Sequence, residues 1–353
     1  MSELPPAPGH DAADPHTDEP AVAPAATPAV TSTAPPGGHG LFRFSLEGRR
    51  APALFGAGWL GTALGAGSAA IGLMAGGAVA LVLIAVGLAL LTVGLVLLGG
   101  SQSVERAAAE RPWPGPSPVV VFAAAIAATL FAAILVGVPM GLLDVRLDRP
   151  VGDLFSVGLQ ALVFVGVVRV MVVGSGALTW RGMGFGGDRR ASIEAAASGF
   201  LTAWPVVLLT AMLAMVLVPL FGATPPSPLP PTGTLSGTIL HLLAGAVVAP
   251  VSEEILFRGV ATTAWARTNG PTVAIVRSAV LFAFAHVLLL GGSDFGHAAP
   301  LVAVAALGRL PIAFALGWSY LRSGSIWAPI ALHATFNAIL IVVAELVGAG
   351  ALG

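Results

Sequence analysis

Between residues 53 and 100 the chain carries no charged side chain. A helix needs about 20 apolar residues to cross a bilayer, so this stretch holds two, with a break at Gly76 and Gly77. Comparable apolar runs follow at roughly 118–142, 154–176, 193–221, 236–262, 272–291, 298–321 and 325–348. None alternates polar and apolar residues at every second position, the signature of a spanning strand. The pattern predicts an all-α, polytopic membrane helix bundle of about eight to nine spans, because a helix satisfies its own backbone in lipid.

Composition sharpens this picture. Of the 353 residues 56% are hydrophobic and 9% are charged, against about 25% charged in soluble domains. The basic residues are all arginine, the net charge is −1 and no basic tract is present, so no nucleic-acid partner is expected. The chain has no cysteine, which excludes disulfides, thiolate metal sites and a thiol nucleophile. With a single tyrosine, an interfacial tyrosine belt is not expected.

Four regions are expected. Residues 1–40 are rich in Pro and Ala, with five acids and no basic residue. Such a segment cannot bury enough apolar surface to offset its ordering entropy, so it reads as a disordered tail with His10, His16 and His39 in solvent. It lacks the basic start and apolar stretch of a signal peptide. Residues 41–223 form an N-terminal transmembrane region, 224–235 a Pro-rich linker ("TPPSPLPP" at 224–231) and 236–353 a C-terminal core. Arg43, Arg49 and Arg50 precede the first span, and Arg106, Arg111, Arg181, Arg189, Arg190 and Arg322 fall in alternate loops. The bias predicts a multi-pass cell-membrane protein with a cytoplasmic N-terminus.

The polar residues of the last third are the anomaly, since a mid-membrane charge costs about 2.5–3.5 kcal/mol on insertion scales. In "VSEEILFRGV" (251–260), Glu254 and Arg258 have the spacing and order of a helical ion pair. Glu253 is rotated by about 100° from Glu254, so the two carboxylates can have different jobs. His286 stands alone in "LFAFAHVLLL", with Phe282 four residues earlier on the same face. His333 and Asn337 share a face of the last helix. Phe314 and Gly317 lie on the preceding one, where glycine suits close helix packing. One carboxylate, two imidazoles and a carboxamide suffice for hydrolysis: a base for water and donors for an oxyanion. Glu253, His286 and His333 could instead hold a divalent metal such as zinc, for which two His and a carboxylate are a known set. A metal-free mechanism fits the same residues. No HExxH, HxxEH or GxSxG is present.

These residues resemble the CPBP intramembrane proteases, the CAAX-protease and bacteriocin-processing (Abi) family. Its EExxxR motif matches "EEILFR" at 253–258, FxxxH matches "FAFAH" at 282–286, FxxG matches "FALG" at 314–317, and HxxxN matches "HATFN" at 333–337. The resemblance covers about 236–348. It implies a membrane-embedded protease acting on a membrane protein or peptide within the lipid bilayer. Glu253 would activate water with help from His286. His333 and Asn337 would stabilise the oxyanion, while Glu254 and Arg258 orient Glu253. Family members are often called metalloproteases, and some remove the last three residues of prenylated proteins. Nothing in this chain indicates a prenylated substrate.

Two other classes compete. A proton-coupled transporter also uses intramembrane Glu and His, but it often has repeated halves, and 53–221 does not repeat the Glu/His pattern. A non-catalytic binding or immunity protein would use the same scaffold. Of the remaining polar residues, Arg309 reads as a partner for a carboxylate or a substrate C-terminus. His241 and His297 read as interfacial, and Glu345 as lying at the far surface.

Overall fold

The computed structural model describes residues 49–288, 290 and 295–348. The disorder expected for residues 1–40, and His10, His16, His39 and Arg43, lie outside the described residues. Among the described residues nine long helices run in chain order: α1 (Pro52–Met74), α2 (Gly77–Ala108), α3 (Pro118–Leu142), α4 (Arg149–Val173), α5 (Arg189–Phe221), α6 (Leu235–Asn269), α7 (Pro271–Val287), α8 (Phe295–Ser323) and α9 (Trp327–Gly348). No strand occurs among the described residues. Among the described residues eight helices are long and apolar enough to cross a membrane; α7, with 17 residues, is shorter. Leu46–Gly353 form one compact unit, and Met1–Ser45 fall outside the described residues. The chain is thus a multi-pass α-helical membrane protein.

Local chemistry sets the boundaries. Proline occupies the first turn of α1, α3, α4 and α7, where its missing N–H costs nothing. α5 stops at Gly222 and α6 at Gly270, with φ of 62° and 83°; both backbones are left-handed, which glycine adopts without strain.

Packing is inverted relative to a soluble protein. Leu201, Met215 and Leu220 on α5 point outward, as lipid-facing residues should. Arg258, Glu254 and His241 are among the most deeply buried large side chains. α1 and α2 meet backbone to backbone, through glycines at seven-residue spacing: Gly58, Gly65 and Gly72 against Gly87 and Gly94. A Cβ on Gly65 would collide with the Leu91 backbone nitrogen. Such small-residue seams hold helices together in lipid, which offers no hydrophobic drive between them.

α6 carries the site, and α4, α7, α8 and α9 pack around it. α5, although it lies before the Pro-rich segment, packs on α8 and α9; a Cβ on Gly199 would collide with the Ala328 carbonyl. α6 is not a uniform α-helix. Two wider π-helical stretches, Leu243–Val248 and Ile255–Thr262, flank the α-helical turn Ala249–Glu254. Pro250 sits in that turn and cannot donate a backbone hydrogen bond. Beyond it, Thr263 Oγ1 bonds Tyr320 Oη at 2.8 Å, and Tyr320 donates to the Met183 carbonyl at 3.3 Å. The single tyrosine is therefore a buried clamp between α6, α8 and the loop after α4.

Candidate active site

Glu253 and Glu254 leave α6 on different faces, as consecutive helical residues must. Glu254 points into the bundle and is fully buried. Its Oε1 accepts from Arg258 Nη1 at 3.2 Å and from His333 Nδ1 at 2.8 Å. Arg258, also fully buried, donates from Nη2 to the Ala313 carbonyl at 3.1 Å. One ion pair thus ties α6 to α8 and α9. With Nδ1 engaged by Glu254, Nε2 is the nitrogen His333 has left.

Glu253 faces a cavity of ≈ 430 Å³. Phe282, His286, His333 and Asn337 line the same cavity. His286 donates Nδ1–H to the Phe282 carbonyl at 2.9 Å, which turns Nε2 toward Glu253 Oε2, 3.7 Å away. That separation is too long for a direct hydrogen bond and suits a bridging water. Glu253 Oε2 is buried without a hydrogen-bond partner among the described residues.

Phe282 holds the imidazoles in place. Its ring centroid lies 4.4 Å from that of His286 and 5.6 Å from that of His333, and the Arg258 guanidinium carbon lies 4.7 Å above it. The apolar ring fixes both histidines and shields the ion pair from the cavity.

Asn337 has a specific cause. The Ala249 N–H bonds the Ala244 carbonyl, five residues back. The Gly245 carbonyl would next receive Pro250, which has no N–H. The freed carbonyl accepts Asn337 Nδ2 at 2.7 Å. A proline on one helix thereby creates the acceptor that orients a carboxamide on another, leaving the second Nδ2–H available.

Phe314, Gly317, His241 and Glu345 lie apart from this cavity. Phe314 is 38% exposed, and a Cβ on Gly317 would sit in ordinary contact, 3.4 Å from Ser278 Oγ and 3.5 Å from Ile275. α7 and α8 are therefore not close enough there to require glycine. His241, expected at the interface, is 1% exposed and meets Asp153 Oδ2 of α4 at 3.1 Å. That acid is 88 residues away in sequence, so no local pattern could reveal it. Glu345 accepts from Thr232 N at 2.8 Å, Thr232 Oγ1 at 2.9 Å and Gly233 N at 3.0 Å. Those bonds pin the end of the Pro-rich segment, and Pro225, Pro226, Ser227, Pro228 and Leu229 wall the cavity.

Arg309 lines the cavity too, donating to the Ala305 carbonyl at 3.0 Å. Sequence reading missed Gly245 and Thr210. Thr210 of α5 lines the cavity with a buried Oγ1 that has no hydrogen-bond partner among the described residues. Pro250, five residues after Gly245, was the available signal for that carbonyl.

The zinc set fares poorly as geometry. Zinc needs ligand atoms about 2.0–2.2 Å from one point, and among the described residues no three His, Asp or Glu side chains gather that way. The described residues as arranged do not fit that ion.

The fold and this cavity define a class: a polytopic helical membrane protein with acid, imidazole and carboxamide groups converging inside the bundle. Residues 235–339 match the family model described as Rce1-like, type II CAAX prenyl endopeptidase Rce1-like. The match runs from the start of α6 into α9, so over this part the chain is similar to the CPBP/CAAX family of endopeptidases. That likeness, together with eight described helices long and apolar enough to cross a membrane, supports a membrane-associated substrate in a lipid environment. Comparison with curated proteins and with solved structures returns no match.

Proposed function

We propose that the chain is an intramembrane endopeptidase in which Glu253 and His286 activate water against a peptide bond of a membrane-associated protein or peptide. The observation that carries this reading is the unpartnered Glu253 Oε2, buried at the cavity and 3.7 Å from His286 Nε2. Water held between them loses a proton to Glu253 as its oxygen bonds the scissile carbonyl carbon. The developing oxyanion takes hydrogen bonds from Asn337 Nδ2–H and from the Nε2 side of His333. Collapse of the tetrahedral intermediate breaks the C–N bond, and the proton held by Glu253 passes to the leaving amine. Glu254 and Arg258 act indirectly, by holding His333 and the helix.

Arg309 gives the cavity a cation that meets an anionic part of the substrate. The arginine-rich end of the bundle is the cytoplasmic one on this reading.

The test is cleavage of membrane-associated peptides by the detergent-purified protein. Glu253→Gln and His286→Ala are each expected to lose at least about 100-fold in rate, the usual scale of general-base catalysis. Cleavage at the parental rate by both folded variants would remove these groups from the chemistry.

A further inference from the structure

A second concavity of ≈ 460 Å³ opens where the α2–α3 loop meets the α6–α7 turn. Arg106, Arg111 and Arg277 line it with Trp113, Trp265 and Asn269, and no acid is among the lining residues. Arg267 stands next to it, its guanidinium carbon 5.9 Å from the Trp113 ring.

The charges there are uncompensated. Arg106 donates Nη1 to the Gly115 carbonyl at 2.7 Å, and Arg277 donates Nη1 to Asn269 Oδ1 at 2.9 Å. Both acceptors are neutral. Among the described residues none of Arg106, Arg111, Arg267 and Arg277 is paired with a carboxylate. Arg49, by contrast, takes Glu105 at 2.9 Å, so the acid nearest in sequence to Arg106 is already engaged. Each guanidinium has five N–H donors, and most remain for a ligand.

The framework is built rather than fluid. Trp113 is buried and donates Nε1–H to the Pro116 carbonyl at 2.8 Å, and the Ser117 N–H meets Gln102 Oε1 at 2.7 Å. Those bonds fix the α2–α3 loop that carries Arg111. The site lies at the ends of the spans α2, α3 and α6 and of the shorter α7, at the level where lipid headgroups lie and tryptophan is enriched.

We infer that this concavity binds a phosphate group, that of an anionic phospholipid headgroup, between α2–α3 and α6–α7. Arginine is the residue suited to phosphate, through forked, charge-assisted hydrogen bonds. Basic pockets between spans are a recurring headgroup site. The inference does not rest on the proposed protease activity.

The test uses the full chain in a neutral detergent. Thermal unfolding is followed with added phosphatidylglycerol, phosphatidylcholine or inorganic phosphate, and native mass spectrometry counts retained lipids. Phosphatidylglycerol is expected to raise the midpoint by several degrees and stay bound, while phosphatidylcholine does neither. The same rise with inorganic phosphate would support the site and name the soluble ion as its occupant. In Arg111→Gln/Arg277→Gln, which alters exposed side chains only, the shift should fall by more than half. Arg322→Gln, an exposed arginine on α8, should leave it intact. Equal shifts from the two lipids, or an undiminished shift in the double variant, would overturn the proposal. If the double variant does not fold, Arg277→Gln alone is measured against the same criteria.

Discussion

Two adjacent glutamates show how much one residue of helical rotation decides. Glu254 is locked between Arg258 and His333, whereas Glu253 keeps an unpartnered oxygen at the cavity. Removing one partner of a buried ion pair strands the other, at about 3–5 kcal/mol. Arg258→Met should therefore destabilise the protein by about that amount in denaturant titrations, with Glu254 left uncompensated. Glu253→Gln should leave stability nearly unchanged, because it removes no ion pair that the fold depends on. Similar losses in the two variants would contradict the division of roles. The EExxxR spacing was legible as an ion pair plus a spare carboxylate. That His333 completes the pair was not legible, because 79 residues separate it from Glu254.

At the scale of elements, the irregularity of α6 shapes the site. Pro250 and the preceding π stretch free the Gly245 carbonyl for Asn337. Pro250→Ala restores a backbone donor and relieves a proline inside a helix, which costs about 3 kcal/mol. It should preserve or raise thermal stability yet lower peptidase activity, since Asn337 then competes with a backbone N–H. Activity at the parental level would show that this carbonyl does not position Asn337. The α1–α2 seam makes a separate prediction. Gly65→Leu forces a side chain into the Leu91 backbone, while Gly67 has nothing within 4 Å. Overpacking costs about 1–3 kcal/mol, so Gly65→Leu should lower the unfolding midpoint and Gly67→Leu should not. The number and order of spans was readable because a bilayer demands long apolar runs. The seam was not, because which glycines face a partner depends on helix rotation.

For the whole molecule, the Pro-rich segment is the informative case. By composition it separates two regions; in three dimensions it folds over the cavity, and Glu345 of α9 holds its end. Glu345→Ala should speed amide exchange at Thr232 and Gly233 by roughly tenfold, the scale of a lost hydrogen bond to a charged acceptor. Unchanged exchange would mean that the segment is held by its own packing. The N-terminal helices join the same body: α5 packs on α8 and α9, and its Thr210 lines the cavity. The sequence by itself determined the helical class, the membrane setting and a short roster of polar residues, because apolar length and isolated charge are local properties governed by the cost of lipid. Only the tertiary structure decided which of those residues meet. Glu254 with His333, Asn337 with the Gly245 carbonyl and Glu345 with Thr232 are contacts between distant segments, and they depend on how each helix is rotated and where α6 departs from regular geometry.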